Sequence, residues 1–225
     1  MLDRCVALMD LLADGPRSLR SLADASGLPR PTAHRLLVAL EAHRLIARDA
    51  AGAFRLGPRL TELAAVAGPE LDLAGLAGPV LERLHLATGE SVQLYVRSGS
   101  QRLCIAARDA GTGLRDSVPV GALLPLDAGS GGKVLLAWST DGATASTIPA
   151  AELAAARGRG WAVSVAEREP GVASVSAPVQ RDGVLLAALC VSGPVSRLGQ
   201  SPGKRLSPLV VAAAAELAAA LPASA

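Results

Sequence analysis

Along the first forty positions, apolar residues recur at helical rather than strand spacing. Leu2, Cys5, Val6, Met9 and Leu12 form one series, and "ADGP" at 13–16 closes it. A second series, Leu19, Leu22 and Ala23, follows Ser18, a residue type whose side-chain oxygen caps the free N–H groups of a helix start. Gly27 stands where a chain leaves a helix through a left-handed residue, with Leu28 placed for the accompanying apolar contact. Pro29 and Pro31 both suit a first helical turn, whose N–H groups have no intrahelical partner to lose. The third series is Ala33, Leu36, Leu37 and Leu40, one contiguous face at i, i+3, i+4 and i+7. Pro31, Arg35, Val38 and Ala42 point the other way, with Thr32 and His34 on the flanks.

The pattern then changes. Leu45–Arg48 and Phe54–Gly57 read as two strands around a turn at Asp49–Gly52. Three short helices and a hairpin make a winged helix-turn-helix, with Arg48 and Arg55 on the wing. Pro58 opens a connector helix with Leu60, Leu63, Ala64 and Ala67 on one side, stopped by "GPE" at 68–70. A helical connector is stiff enough to pass movement between two domains. From Leu73 a longer amphipathic helix runs to Thr88 with Leu76, Ala77, Val80, Leu81 and Leu84 inward, Pro79 as a kink and Gly89 as its close.

Beyond it the period is mixed. "SVQLYVRSGSQRLCIAARD" alternates around a turn at Ser98–Gln101, and "LRDSVPVGALLPL" suggests a further strand. "GSGGKVLLAW" switches to helix after a glycine-rich turn, and a short helix is expected near Ala150–Arg159. Strands follow in "GWAVSVAEREPGVASVSAPV" and "GVLLAALCVSGPV". A last helix has Leu206, Leu209, Val210, Ala213, Leu217 and Leu221 as its inner positions. The whole is an α+β chain with expected domains at residues 1–57, 58–70 (the linker) and 71–225.

Composition narrows the function. Half of the 225 residues are apolar, enough for a sizeable core. Gly183 to Ser196, the longest charge-free run near the C-terminal end, is short of the roughly 20 apolar residues a spanning helix needs. No signal-peptide pattern opens the chain, so no membrane partner and a cytoplasmic location are expected. Cys5, Cys104 and Cys190 make neither a disulfide framework nor a metal spacing. Residues 1–60 carry nine arginines against six acidic residues, while the rest is close to neutral. A basic N-terminal quarter fits a polyanion partner. The Arg, Thr and His of the third helix suit base edges and phosphates in a major groove.

"DAGSGGK" at 127–133 is not a phosphate loop. Asp127 stands where a glycine is needed, and Val134 where a Ser or Thr would bind magnesium. Gly129, Ser130 and Gly131 at a helix start can still present N–H groups to an anion, a carboxylate for example, or form a tight turn without a ligand. All three histidines lie in the first 85 residues, so a nucleophile in the larger domain has no local base. No enzyme, no cofactor and no metal are therefore expected. Any pocket is mostly aliphatic, with Tyr95, Trp138 or Trp161 as candidates for its wall. The alternatives are a metabolite-binding or catalytic domain whose winged helix serves protein contacts only, and an enzyme acting through Cys104.

"LADASGLPRPTAHRLLVALEAHRLIARD", "FRLGPRL", "GE" at 89–90, "LPLDAGSGGKVLLAW", "GW" at 160–161 and "GVASVSAPV…VSGPVSRL" together resemble the IclR-type transcriptional regulators, in consistent order from about Leu2 to Leu221. The resemblance implies a winged-helix DNA-binding domain, a linker helix and a GAF-like α/β effector-binding domain. It also implies homodimers, often paired into tetramers, on double-stranded operator DNA, with a small-molecule effector. The wording of "RPTAHR" and "EREPGVASVSAPV" is similar to the branch regulating leucine and other amino-acid biosynthesis. Carried over by motif, Arg30, Thr32, His34 and Arg35 would read DNA, joined by Ser18 and the wing's Arg48 and Arg55. Gly129, Ser130, Gly131, Ser174, Cys190 and Ser192 would line the effector pocket. Ser174 replaces a cysteine of members that bind small keto acids, and Ser164 replaces an acid, for which Glu167 or Glu169 is a substitute. The stretch from Ser139 to Arg159 is shorter than in typical members.

Overall fold

The computed structural model describes residues 1–13, 15–66, 69–111, 116–139 and 146–221. It divides into two compact units, Met1–Gly68 and Pro69–Ala225.

The N-terminal unit starts with helices α1 (Leu2–Asp10), α2 (Leu19–Ser26) and α3 (Arg30–Ala42). Ser18 caps α2, its Oγ accepting from the Ser21 N–H at 3.2 Å, and Gly27 ends it at φ +66°. Pro29 caps α3 and Pro31 sits in its first turn, so the proline pair fixes where the helix begins. Ala33, Leu36, Leu37 and Leu40 are all buried. They meet Leu8, Leu12, Leu22, Ile46 and Phe54 in one apolar cluster. On α1 the inward face is not the expected one: Leu8 is buried while Leu2 and Val6 are exposed. The expected series included Leu2 and Val6 because each has an apolar neighbour three or four residues on, but Cys5, Leu8, Met9 and Leu12 is the stripe that packs.

Strands β1 (Ile46–Arg48) and β2 (Phe54–Leu56) form the wing, pairing Ile46 with Leu56 and Arg48 with Phe54. Arg17 adds a bridge to Phe54, a third edge not foreseen from the sequence. Gly57 is obligatory here, because a Cβ on it would lie 2.3 Å from the Arg44 carbonyl oxygen. Helix α4 (Pro58–Val66) follows, and expected positions such as Ala67 lie outside the described residues.

The C-terminal unit opens with α5 (Pro69–Thr88), a helix that starts four residues before the expected Leu73. A six-stranded antiparallel sheet follows, ordered β5 (Leu123–Pro125), β4 (Gln101–Arg108), β3 (Ser91–Ser98), β8 (Val184–Pro194), β7 (Val172–Arg181) and β6 (Ala162–Val165). Helix α5 and the last helix, α9 (Gly203–Ala220), cover one face through a cluster that includes Leu73, Leu81, Leu94, Leu189, Leu206 and Leu217. Helices α6 (Ser130–Ala137) and α7 (Ala150–Arg159) cover the other through a smaller cluster with Tyr95, Cys104, Leu135 and Cys190. A four-residue helix, α8 (Val195–Leu198), leads from β8 towards α9.

Two inner positions expected from helical period are corrected. Leu76 and Leu209 are 37% and 40% exposed, because α5 and α9 each bury a narrow stripe against the sheet and leave the adjoining row to solvent. "LRDSVPVGALLPL" is strand only at Leu123–Pro125, and its Leu114 and Arg115 lie outside the described residues. No helix among the described residues is long and apolar enough to cross a membrane.

Candidate functional site

Two sets of side chains merit attention, one in each unit. In the first, burial of the leucine face of α3 forces the opposite side outward. Arg30, His34 and Arg35 are exposed and have no partner among the described residues, while Thr32 is half-buried beside them. On the wing, Arg55 is exposed and has no partner among the described residues. Arg48, on the same wing, is engaged within the unit: its Nε donates to the Glu41 carboxylate at 3.2 and 3.3 Å, and its guanidinium lies 4.5 Å from the Phe54 ring centre. Ser18 is exposed, but its Oγ already serves as the cap of α2.

The second set lies where the start of α6 meets the sheet. Pairing register explains it. Ser164, Ser174 and Ser192 sit side by side on β6, β7 and β8. The next row holds Ser176 opposite Cys190, and Cys190 opposite Gln93 on β3. A period of two puts both rows on the same face of the sheet. The side chains under α6 are therefore small and polar, where the opposite face is aliphatic.

Into this floor points Ser130, the first residue of α6 and wholly buried. Its Oγ donates to Ser174 Oγ at 2.7 Å, lies 2.7 Å from Ser176 Oγ and 3.8 Å from Cys190 Sγ. Ser192 donates from Oγ to Gln93 Oε1 at 3.1 Å. The N-cap of α6 is Gly129, which has no side chain with which to cap the helix. The glycines allow the close approach: a Cβ on Gly131 would lie 3.1 Å from the Tyr95 ring, and one on Gly132 only 2.1 Å from the Leu126 carbonyl oxygen.

Charged groups ring the floor. Arg102 on β4 is 3% exposed, donates from Nη1 to the carbonyls of Pro125 and Ala128, and lies 5.2 Å from the Tyr95 ring centre. Burial lowers its pKa from the ordinary value, with the surrounding charges as smaller influences. Arg168 donates to Asp116 at 2.5 Å and to Glu169 at 3.1 Å. Burial works against its charge, but the Asp116 hydrogen bond and carboxylate more than offset that and raise its pKa. Lys133 is buried and donates to the Val163 carbonyl at 3.0 Å, with Glu152 and Glu167 each at 2.5 Å. Glu167 also accepts from the Gly129 N–H at 3.3 Å, so it braces the glycine turn.

Together Tyr95, Arg102, Asp116, Ser130, Ser174 and Cys190 enclose a cavity of about 20 Å³, room for the centre of one water-sized group. Outside it is a wider vestibule of about 460 Å³, which shares Asp116, Glu169 and Val172 with the inner space. All seven residues expected at this pocket line the inner cavity: Gly129, Ser130, Gly131, Glu169, Ser174, Cys190 and Ser192. Of the aromatic candidates only Tyr95 does; Trp161 packs against α9 at Gly203, and Trp138 joins the apolar cluster under α6. The sequence reading missed Arg102, Asp116, Arg168, Ser164 as a lining residue, and Ser176. Ser176 was within reach, since it stands two residues after Ser174. The arginines gave no local signal. Cys104, the other thiol considered for chemistry, is fully buried, and burial pushes it up to about 12. Among the described residues no His, Cys, Asp and Glu group could hold a metal.

The two units coincide with two domains of one known family. The family model for the IclR helix-turn-helix domain matches residues 1–50, and that for the bacterial transcriptional regulator IclR C-terminal domain matches residues 66–219. The chain belongs to the IclR family. Among its relatives, the glycerol operon regulatory protein of Streptomyces griseus is 32% identical over 88% of this chain and 85% of its own. The HTH-type transcriptional repressor AllR of Escherichia coli K12 is 28% identical over 88% of this chain and 81% of its own. An IclR homologue from Microbacterium hydrocarbonoxydans, solved with 4-hydroxybenzoate, superimposes with a TM-score of 0.77 at 25% identity, over 97% of each chain. This IclR protein is accordingly a transcriptional regulator with a DNA-binding domain and a C-terminal effector domain.

Proposed function

We propose that α3 is the recognition helix of a homodimer, on occasion paired into a tetramer, that binds double-stranded operator DNA in the cytoplasm. On this reading residues 1–57 bind DNA, residues 58–70 link, and residues 71–225 form a GAF-like domain whose cavity under α6 takes a small organic acid or an amino-acid-related metabolite. The carrying observation is the polarity of α3: one face is closed by Ala33, Leu36, Leu37 and Leu40, and the other offers Arg30, His34 and Arg35 unpaired. Donors of that kind match base edges in a major groove. Two such helices would meet half-sites about 34 Å apart or a multiple of that. Arg55 is the phosphate contact of the wing, while Ser18, Thr32 and Arg48 border the same interface.

For the effector, the support is chemical. The start of α6, whose N-cap glycine has no capping side chain of its own, favours an anion, and the serine rows supply hydroxyl donors and acceptors. A small organic acid is also what one neighbour of known structure was solved with, 4-hydroxybenzoate in the Microbacterium hydrocarbonoxydans homologue. Control of leucine or other amino-acid biosynthesis is proposed from the resemblance of "RPTAHR" and "EREPGVASVSAPV" to that branch of the family.

A gel shift on the DNA upstream of the chain's own gene tests the reading. Retardation that weakens with salt is expected. Absence of retardation at micromolar protein would favour the rival, a metabolite-binding domain whose winged helix serves protein contacts.

A further inference from the structure

Of all buried cations among the described residues, Arg102 is the one whose hydrogen bonding is incomplete. Lys133 is held by two glutamates and a carbonyl, and Arg168 by Asp116 and Glu169. Arg102 has carbonyl partners for Nη1, but its Nε is buried with no partner at all. A buried donor left unmade carries a desolvation cost, and a charged one more so. The group is not tucked into an apolar corner. It lines the cavity, and it lies against the glycine turn: a Cβ on Gly129 would be 3.2 Å from Nη2, and one on Gly131 would be 3.7 Å from Nε. No acidic residue closes on it, since Asp116 and Glu169 are both engaged by Arg168.

We infer that Arg102 is a binding residue for the effector, and that the group it recognises is a carboxylate. The inference rests on reading this cavity as the effector site. It adds what the motif does not contain: a guanidinium from β4 that lines the same space as the serines. A carboxylate is flat and accepts on both oxygens, which suits an N–H donor on one edge and hydroxyl groups on the other. Gly129 and Gly131 matter twice here, once for the turn of α6 and once for the room they leave the guanidinium. The inner space is too small for a whole metabolite, so the carboxylate end is directed into it and the rest of the ligand lies towards the vestibule, which shares Asp116 and Glu169.

The test uses the full-length protein and the probes acetate, pyruvate, succinate and 4-hydroxybenzoate, each beside its neutral amide, with inorganic phosphate as the other anion. Thermal shift and calorimetry should show at least one carboxylate binding the unaltered protein in preference to its amide. In Arg102→Met that preference should fall about tenfold or more, the weight of one charge-assisted hydrogen bond, and Arg102→Lys should keep part of it. Carboxylate binding unchanged in a folded Arg102→Met protein overturns the role of Arg102 and leaves the cavity as effector site. Tighter binding of phosphate than of every carboxylate overturns the ligand class. No binding by any probe removes the carboxylate reading of the cavity itself. Should Arg102→Met fail to fold, the Nε resonance of Arg102 in arginine-labelled, unaltered protein decides: it shifts with the carboxylate and not with the amide, or the inference is wrong.

Discussion

Two arginines on the wing, seven residues apart, illustrate how local partners decide what a charge can do. Arg48 shares its charge with Glu41 and its planar face with Phe54, whereas Arg55 has neither kind of partner among the described residues. Free cations release counterions from DNA when they bind phosphate; a cation already neutralised in the protein contributes less. Replacing Arg55 by Ala should therefore weaken binding about equally on operator and random DNA and reduce the salt slope by about one unit. Arg48→Ala should change that slope less, as salt titrations by fluorescence anisotropy would show. On α3, Arg35→Ala should cost about 1–3 kcal/mol on operator DNA and much less on random sequence, if it contacts a base. Equal losses on both would reassign Arg35 to the backbone. At the same scale, Cys104 is a thiol that folding keeps protonated. Its pKa stands at about 12 because it is buried. A raised acid pKa means that the folded state holds the proton more tightly than the unfolded one, so this residue costs nothing at neutral pH. As pH climbs from the ordinary thiol value of 9.0 towards 12, the native state loses stability through it. Cys104→Ser or Cys104→Ala should flatten that alkaline loss in melting curves taken across the range. The same burial predicts that alkylating reagents leave Cys104 untouched in the folded protein at neutral pH.

At the level of elements, close backbone approach is the tightest constraint. Helix α6 can reach the sheet only because Gly132 has no side chain: a Cβ there would meet the Leu126 carbonyl at 2.1 Å. Gly132→Ala should cost on the order of 1–3 kcal/mol by overpacking and displace Ser130 from Ser174 and Ser176. The expected outcome is a lower melting temperature together with loss of ligand binding. A variant with unaltered stability would show that α6 can shift freely. The expectation for Gly132 needs tertiary structure, yet much of the surrounding element pattern was plain in the sequence. The three short helices, the capping Ser18, the left-handed Gly27 and the proline start of α3 were legible because each depends on neighbours within four residues. So were β3 and β4, from their alternation. The serine rows were only half legible. Period two links Ser174 to Ser176 and Cys190 to Ser192, but register between strands decides that these rows adjoin each other and face α6. Arg102 was illegible for the same reason. It stands in an ordinary hairpin, and only the course of residues 123–132 folds a carbonyl pair and three glycines over it. Leu76 and Leu209 show the opposite failure, since helical period marks a wide stripe as inward where packing against the sheet uses a narrow one.

For the molecule as a whole, regulation requires that ligand and operator favour different populations of the same chain. A ligand bound equally well by DNA-competent and DNA-incompetent forms would shift nothing, however tightly it binds. The required preference is modest: a coupling of about 1–3 kcal/mol changes operator affinity roughly 5–150-fold. Coupling is also reciprocal, which gives a test that needs no knowledge of whether the protein represses or activates. If a carboxylate bound beneath α6 alters operator affinity by some factor, saturating operator DNA must alter the affinity for that carboxylate by the same factor. Calorimetry of the ligand with and without operator, set beside anisotropy of the operator with and without ligand, should return two equal ratios. Arg35→Ala should leave ligand affinity in the absence of DNA unchanged, while Arg102→Met should leave operator affinity in the absence of ligand unchanged. A ligand that fills the cavity and changes neither ratio would make the pocket a binding site without regulatory consequence, whatever its fit to Arg102.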